Sequence, residues 1–146
     1  LLYHYAQRPD KSSSTLRNIL AKAYSTARNG LPDNEDMGCH SAFYICGMIG
    51  LYPMMGQDWY FLTAPAFART EVSLGEGRQK LIIEAPNAST THIYIAAATL
   101  NGKALNRAWI QHQEISNGAH IIFELVTAPT NWGQDIPPPS PLARSE

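Results

Sequence analysis

Apolar positions change their period near the middle of this chain. From Ser12 to Tyr52 they recur at helical spacing, and from Trp59 to Leu125 they alternate as strands do. Leu16, Ile19, Leu20, Ala23 and Ala27 line one helical face behind Ser12-Ser13-Ser14, a cluster suited to capping. The first helix is expected to end at Arg28-Asn29-Gly30, with a cation at the dipole's negative end and a left-handed glycine. A loop from Leu31 to His40 leads to a second helix, expected from about Cys39 to Tyr52 and stopped by Pro53. That helix is apolar almost all round, through Ala42, Phe43, Tyr44, Ile45, Cys46, Met48, Ile49 and Leu51. Such a helix is buried on every side inside a larger helical assembly, and one other helix cannot cover it.

The second half reads as antiparallel strands. Glu71 to Leu74 leads through Gly75-Glu76-Gly77 to a strand over Lys80 to Glu84, and another spans His92 to Thr99. Asn101-Gly102 is a strong hairpin signal, followed by Trp109-Ile110-Gln111, a turn at Ser116-Asn117-Gly118, and His120 to Leu125. Short strands in this number predict a small sandwich or curled sheet, making the whole chain α+β. The expected division is residues 1–56 for the helices and acidic loop, 57–133 for the antiparallel β region, and 134–146 for a proline-rich tail.

Composition adds exclusions. With 45% hydrophobic and 16% charged residues, a formal net charge of −1 and scattered Lys and Arg, the 146-residue chain has a globular balance and no field for nucleic acid or an anionic membrane. The longest apolar stretch, Ala42 to Tyr52, is too short to span a bilayer. The opening Leu1-Leu2-Tyr3-His4-Tyr5 reads like the inside of a packed element, so a fragment or cleaved product is expected. Ile136 to Pro141 reads as a polyproline-like tail outside any core. Cys39 and Cys46 on one helix stand roughly 10 Å apart along its axis, beyond the reach of a disulfide, and are expected to be small core residues. Asn87-Ala88-Ser89 is a formal glycosylation sequon of the kind that often arises by chance.

The chemistry is concentrated in Gly30-Leu31-Pro32-Asp33-Asn34-Glu35-Asp36-Met37-Gly38, which crowds three carboxylates and an amide ahead of the second helix. Negative charge is favoured there by the macrodipole and the free N–H groups, and an ionised Asp suits a general base that activates water. The simpler reading of the same residues is helix capping by Asp36 with an acidic first turn.

The wording of this segment, with Ser41-Ala42-Phe43-Tyr44 and Gly50-Leu51-Tyr52-Pro53 behind it, resembles G-L-P-G-N-(D/E)-D-x-G-Q-M-S-A-W-Y…G-(F/L)-Y-P. That pattern belongs to glycoside hydrolase family 92, the calcium-dependent exo-acting α-mannosidases. Ala64-Pro65-Ala66-Phe67 is similar to the family's S-P-L-F, and Thr99 to Lys103 to its A-T-L-N-G-K hairpin. Asn117-Gly118 precedes the last strand, and Thr130-Asn131-Trp132-Gly133 resembles the usual Trp-Gly ending. The similarity runs in colinear order from about Leu2 to Gly133.

The resemblance implies that the chain is the end of a longer enzyme: two terminal helices of an (α/α)6 barrel followed by a small antiparallel β region. It implies inversion by two carboxyl groups standing roughly 6.5–9.5 Å apart, one protonating the leaving oxygen and one deprotonating water. Position by position, Asp36 aligns with the general base. Asn34 falls where family members can carry a second functional Asp, and Glu35 at the acidic position between them, in supporting roles. The general acid would lie upstream of Leu1. Calcium, which in the family holds the mannose hydroxyls, would draw most of its ligands from upstream too, with Asp36 the residue nearest it. Implied partners are mannose-containing glycans and the remainder of the parent polypeptide, and the implied location is secreted or periplasmic. The sequence departs from the pattern at Asp33, Cys39, His40 and Phe43.

Other candidates weigh less. Cys39 and His40 are neighbours that point to different helix faces, and His92, His112 and His120 lack any zinc-ligand spacing. Trp59, Tyr60 and Trp109 could stack on sugars but read first as core. They support the rival expectation, a non-catalytic β module or remnant that binds carbohydrate or a partner.

Overall fold

The computed structural model describes residues 1–140. A short 3-10 turn at Leu2–His4 leads into helix α1 (Pro9–Ala23), and helix α2 (Cys39–Ile49) packs against it. Strands follow as β1 (Leu51–Pro53), β2 (Trp59–Leu62), β3 (Arg69–Leu74), β4 (Gln79–Glu84), β5 (Tyr94–Leu100), β6 (Lys103–Ala104), β7 (Trp109–Gln111) and β8 (Ala119–Val126). One sheet has the order β1-β2-β7 and the other β3-β4-β8-β5-β6. The chain is therefore α+β, and among the described residues no helix is long and apolar enough to cross a membrane.

Both helices are shorter than their apolar pattern suggests. Helix α1 starts at Pro9, whose ring presets φ for a first helical position and whose missing N–H is not needed there. Ser12 and Ser13 consequently lie inside the helix, both buried. The Ser13 hydroxyl accepts the Ala64 N–H at 3.2 Å, tying the helix to the chain after β2. The helix stops at Tyr24, which is extended, and Ala27 falls outside it. Gly30 is not left-handed. It closes a turn in which Ser25 donates to its carbonyl at 2.9 Å, and a Cβ there would stand 2.1 Å from the Ser25 carbonyl oxygen.

Helix α2 ends at the left-handed Gly50, before Pro53 is reached, and Leu51–Pro53 turns outward into β1 to pair with Leu62–Tyr60. Only Gly47 is buried along α2, because its Cα face lies against Leu16 and Leu20 of α1. Ile45 is 58% exposed, so the face expected to be covered is bare in this chain.

The sheets enclose one core. Leu51, Leu62 and Ile110 meet Leu81, Ile83, Ile95, Ile121, Phe123 and Leu125 from the facing sheet. Strand β8 shows strict alternation, with Ala119, Ile121, Phe123 and Leu125 inward. The Asn101-Gly102 hairpin forms as expected, both residues left-handed. The expectation of purely antiparallel pairing is corrected at one place, where β4 and β8 are parallel. Strand β8 enters between β4 and β5, which run in opposite directions, so it must be parallel to one of them. In the tail, Pro138 is buried and the Ile136 carbonyl accepts the Trp109 indole N–H at 3.2 Å, so this part packs back on the domain. Pro141 onward lies outside the described residues.

His4 joins three elements. Its Nε2 donates to the Leu62 carbonyl of β2 at 3.0 Å, which leaves Nδ1 unprotonated to accept the Ser12 hydroxyl of α1 at 2.8 Å. Burial lowers its pKa from 6.5 to about 4, the Leu62 carbonyl and that of Leu1, 3.2 Å from Nδ1, offsetting part of that. The unfolded chain therefore binds the extra proton first, and stability falls as the pH drops from 6.5 towards 4, by about 3 kcal/mol in all. Urea unfolding across that window should show the decline, and the His4→Gln variant should show it flattened. An unchanged slope in the variant would remove His4 as its source.

Candidate active site

The loop between the helices is built by backbone geometry at both ends. At its start, Tyr24 stacks on Phe43 with centroids 6.2 Å apart, and Phe43 meets the edge of Tyr52 at 5.6 Å. Burial, then the nearby Glu35 and Cys39, push the Tyr24 hydroxyl pKa up. At its end, Asp36–Gly38 form a single 3-10 turn in which Met37 (φ 53°) and Gly38 (φ 80°) are both left-handed. A left-handed methionine costs about 1–2 kcal/mol, a strain typical of functional loops. Met37 gains nothing by burial, since its side chain projects fully into solvent.

This reversal separates the two adjacent carboxylates. Glu35 reaches forward over the turn: its oxygens accept the Ser41 N–H at 3.2 Å, and one of them the Ser41 hydroxyl at 3.1 Å. Ser41 is the third residue of α2 behind the Gly38 N-cap, so Glu35 supplies the capping carboxylate that the sequence pattern assigns to Asp36. Asp36 uses only its backbone here, donating to the Asn34 carbonyl at 3.0 Å. Its carboxylate is exposed and holds no side-chain hydrogen bond or ion pair among the described residues. Asn34 donates its backbone N–H to Asp33 Oδ1 at 2.8 Å. Asp33 has no positive φ, so an aspartate at the family's usual glycine position carries no left-handed strain. Ser41 is the residue sequence reasoning missed. The signal was a glutamate three residues ahead of the helix's N-terminal glycine, with a hydroxyl in the first turn.

Three glutamates of the β region are held in pairs. Glu71 lies 2.7 Å from Lys80 and 2.6 Å from Arg69, which hold its pKa down to about 2. Glu84 is paired with His120 at 3.0 Å, and Glu114 with Arg107 at 2.5 Å. A general acid needs the opposite environment, one that raises its pKa. The histidines do not converge: His112 meets Tyr60 at 2.9 Å, His92 meets Ser89 at 2.9 Å, and His120 is with Glu84. Trp59 is 2% exposed and offers no face to a sugar, and the Arg107 guanidinium sits 4.8 Å over the Trp109 ring and occupies one of its faces. Cys39 is exposed, correcting its expected core position, and Cys46 is half-buried; both are free thiols. Asn87 of the sequon clasps β8, its side chain bonding both the N–H and the carbonyl of Leu125.

Calcium takes six to eight oxygen ligands, and no group of three or more His, Cys, Asp or Glu side chains comes together among the described residues. These residues do not form a calcium site by themselves, since Glu35 is committed to Ser41 and Asp36 stands alone.

A free carboxylate on a strained loop ahead of a helix has the chemistry of a general base: it can accept a proton and has no other partner to give up. The glycosyl hydrolase family 92 catalytic domain matches residues 1–127, and the chain belongs to that family. It is 32% identical over 142 residues to an uncharacterized secreted glycosidase of Arthroderma benhamiae, covering 94% of this chain and 18% of that protein. A family 92 α-mannosidase from Bacteroides thetaiotaomicron, solved with mannoimidazole, superposes with a TM-score of 0.90 at 26% identity over 96% of this chain and 19% of its own. An inverting family 92 mannosidase from the same organism gives a TM-score of 0.83 at 30% identity, over 91% of this chain and 18% of its own. The chain thus spans less than a fifth of the length of these relatives.

Proposed function

We propose that this chain is the C-terminal part of an inverting exo-α-mannosidase that hydrolyses mannose-containing glycans, its helices ending an (α/α)6 barrel and its Asp36 serving as general base. The observation that carries this reading is the division of labour in the loop. Glu35 spends its carboxylate on α2, while that of Asp36 is open to solvent and has no partner among the described residues. A base in this position takes a proton from water on the face of the sugar opposite the leaving group. The acid that protonates the departing oxygen belongs to the polypeptide preceding Leu1, as do most ligands of the calcium ion. Calcium would hold substrate hydroxyls, with Asp36 the residue of this chain nearest to it. Asn34 flanks the base with a neutral amide, and Glu35 keeps the loop on the helix. Secretion or periplasmic export fits such a substrate.

The test is hydrolysis of an α-mannoside by the full-length polypeptide, followed by proton NMR from the first seconds. The expected first product is β-mannose, and EDTA is expected to abolish turnover until calcium is restored. Accumulation of α-mannose first would exclude an inverting pair, and no mannose release would exclude the activity.

A further inference from the structure

The segment that follows β8 is held by aromatic donors. The Ile136 carbonyl accepts the Trp109 indole N–H at 3.2 Å, and the Pro139 carbonyl accepts the Tyr5 hydroxyl at 3.4 Å. Between these two bonds Pro138 is buried, while Pro137 and Pro139 are exposed. Consecutive prolines have no N–H to give a helix or a sheet, and their rings preset φ for the polyproline-II conformation. That conformation has three residues per turn and rises about 3.1 Å per residue, so the carbonyls of residues 136 and 139 leave one side roughly 9 Å apart. It makes no internal hydrogen bonds, which leaves those carbonyls to donors on a partner surface.

Contacts other than the tail position both donors. Trp109 pairs with Phe61 across β7 and β2, and the Arg107 guanidinium, itself paired with Glu114 at 2.5 Å, lies 4.8 Å over its ring. Tyr5 follows the first 3-10 turn and meets Phe61 nearly at right angles, centroids 6.0 Å apart. Tyr5 and Trp109 also share Trp59 as a neighbour, each ring centroid 6.3 Å from it. Grooves lined by Trp and Tyr are the surfaces on which proline-rich segments dock, because a preformed polyproline helix loses little entropy on binding. The family match ends at residue 127, short of this tail. We propose that Tyr5, Trp59 and Trp109 form a binding site for a polyproline-II segment, filled by residues 136–139 of the same chain and able to take a proline-rich peptide in trans once that segment is removed. The inference is independent of the assignment of Asp36, and its failure would leave that assignment untouched.

Deleting residues 136–146 from the full-length polypeptide vacates the site. Isothermal titration of that variant with a synthetic peptide of residues 134–146 is expected to show saturable binding. Trp109→Phe in the protein keeps a ring but removes the indole donor, and should weaken binding about tenfold. A peptide carrying Pro137→Gly, Pro138→Gly and Pro139→Gly should be weakened by about as much, because it loses its preformed shape. The intact polypeptide should bind the peptide about tenfold more weakly still, since its own tail competes at a local concentration of about millimolar. No binding up to millimolar peptide, or equal binding by the intact polypeptide, would overturn the proposal. A second measurement needs no deletion. Cleavage of the intact polypeptide after Pro139 by a proline-specific endopeptidase tracks the detached population, and Trp109→Phe should speed it by about tenfold. Equal cleavage rates with and without the indole donor would overturn the proposal as well.

Discussion

Replacing Asp36 by Asn in the full-length polypeptide is expected to lower kcat for α-mannoside hydrolysis by about a thousandfold, with KM changed little. Within this chain the substitution removes a proton acceptor and breaks no side-chain contact among the described residues. The side chain is exposed, caps no helix and forms no ion pair among the described residues, so the amide fits the same space without disturbing the loop. Glu35, one residue earlier, is the natural comparison. Glu35→Gln still offers an amide oxygen to the Ser41 N–H and keeps a partner for its hydroxyl, so turnover should stay within about threefold of the parent. If Asp36→Asn retained turnover while Glu35→Gln lost it, the base would be Glu35, and the loop would have to refold to release it from α2. If neither mattered, the catalytic carboxylate would lie outside this loop.

The contrast between these two carboxylates marks how far the sequence could be read. Its period switch located the helical half and the β half, and the strand expected over His120 to Leu125 forms within β8. The acidic segment stood out by crowding three carboxylates and an amide ahead of a helix, but it was the resemblance to the family pattern, and not that crowding, that singled out Asp36. Which of them capped the helix was not visible, since that depends on the left-handed pair Met37-Gly38, and methionine gives no hint of positive φ. The early end of α1 was hidden for a similar reason. Ala27 continues the apolar spacing, but closure of the Ser25–Gly30 turn outweighs the propensity of residues 24–29. The parallel β4–β8 pair is a property of topology, decided by where the last strand inserts, and no local pattern encodes it. The bare face of α2 was foreseen, because an all-apolar helix with one helical neighbour cannot be covered on every side.

The largest structural effect is expected at Gly50, where α2 gives way to β1. Gly50 has φ 78°, and a Cβ there would lie 2.5 Å from the Thr63 carbonyl oxygen and 2.9 Å from Pro65 Cγ. The left-handed conformation alone costs an alanine about 1–2 kcal/mol. The overlap adds to it, because the opposing segment cannot draw back. Thr63 donates its N–H to the Gly50 carbonyl at 3.0 Å, and Ala66 donates to the Met48 carbonyl at 2.8 Å, so retreat would break the bonds joining helix to sheet. Gly50→Ala should therefore cost about 3–5 kcal/mol in all. Gly77 provides the control: it has φ 81°, and an added Cβ would meet nothing within 4 Å, so Gly77→Ala should lose only the conformational part, about 1 kcal/mol. Thermal unfolding of the two variants in the full-length polypeptide separates the contributions. Equal shifts would mean that the Thr63–Pro65 segment yields freely, and that α2 and its acidic loop are not held to the β region through Gly50.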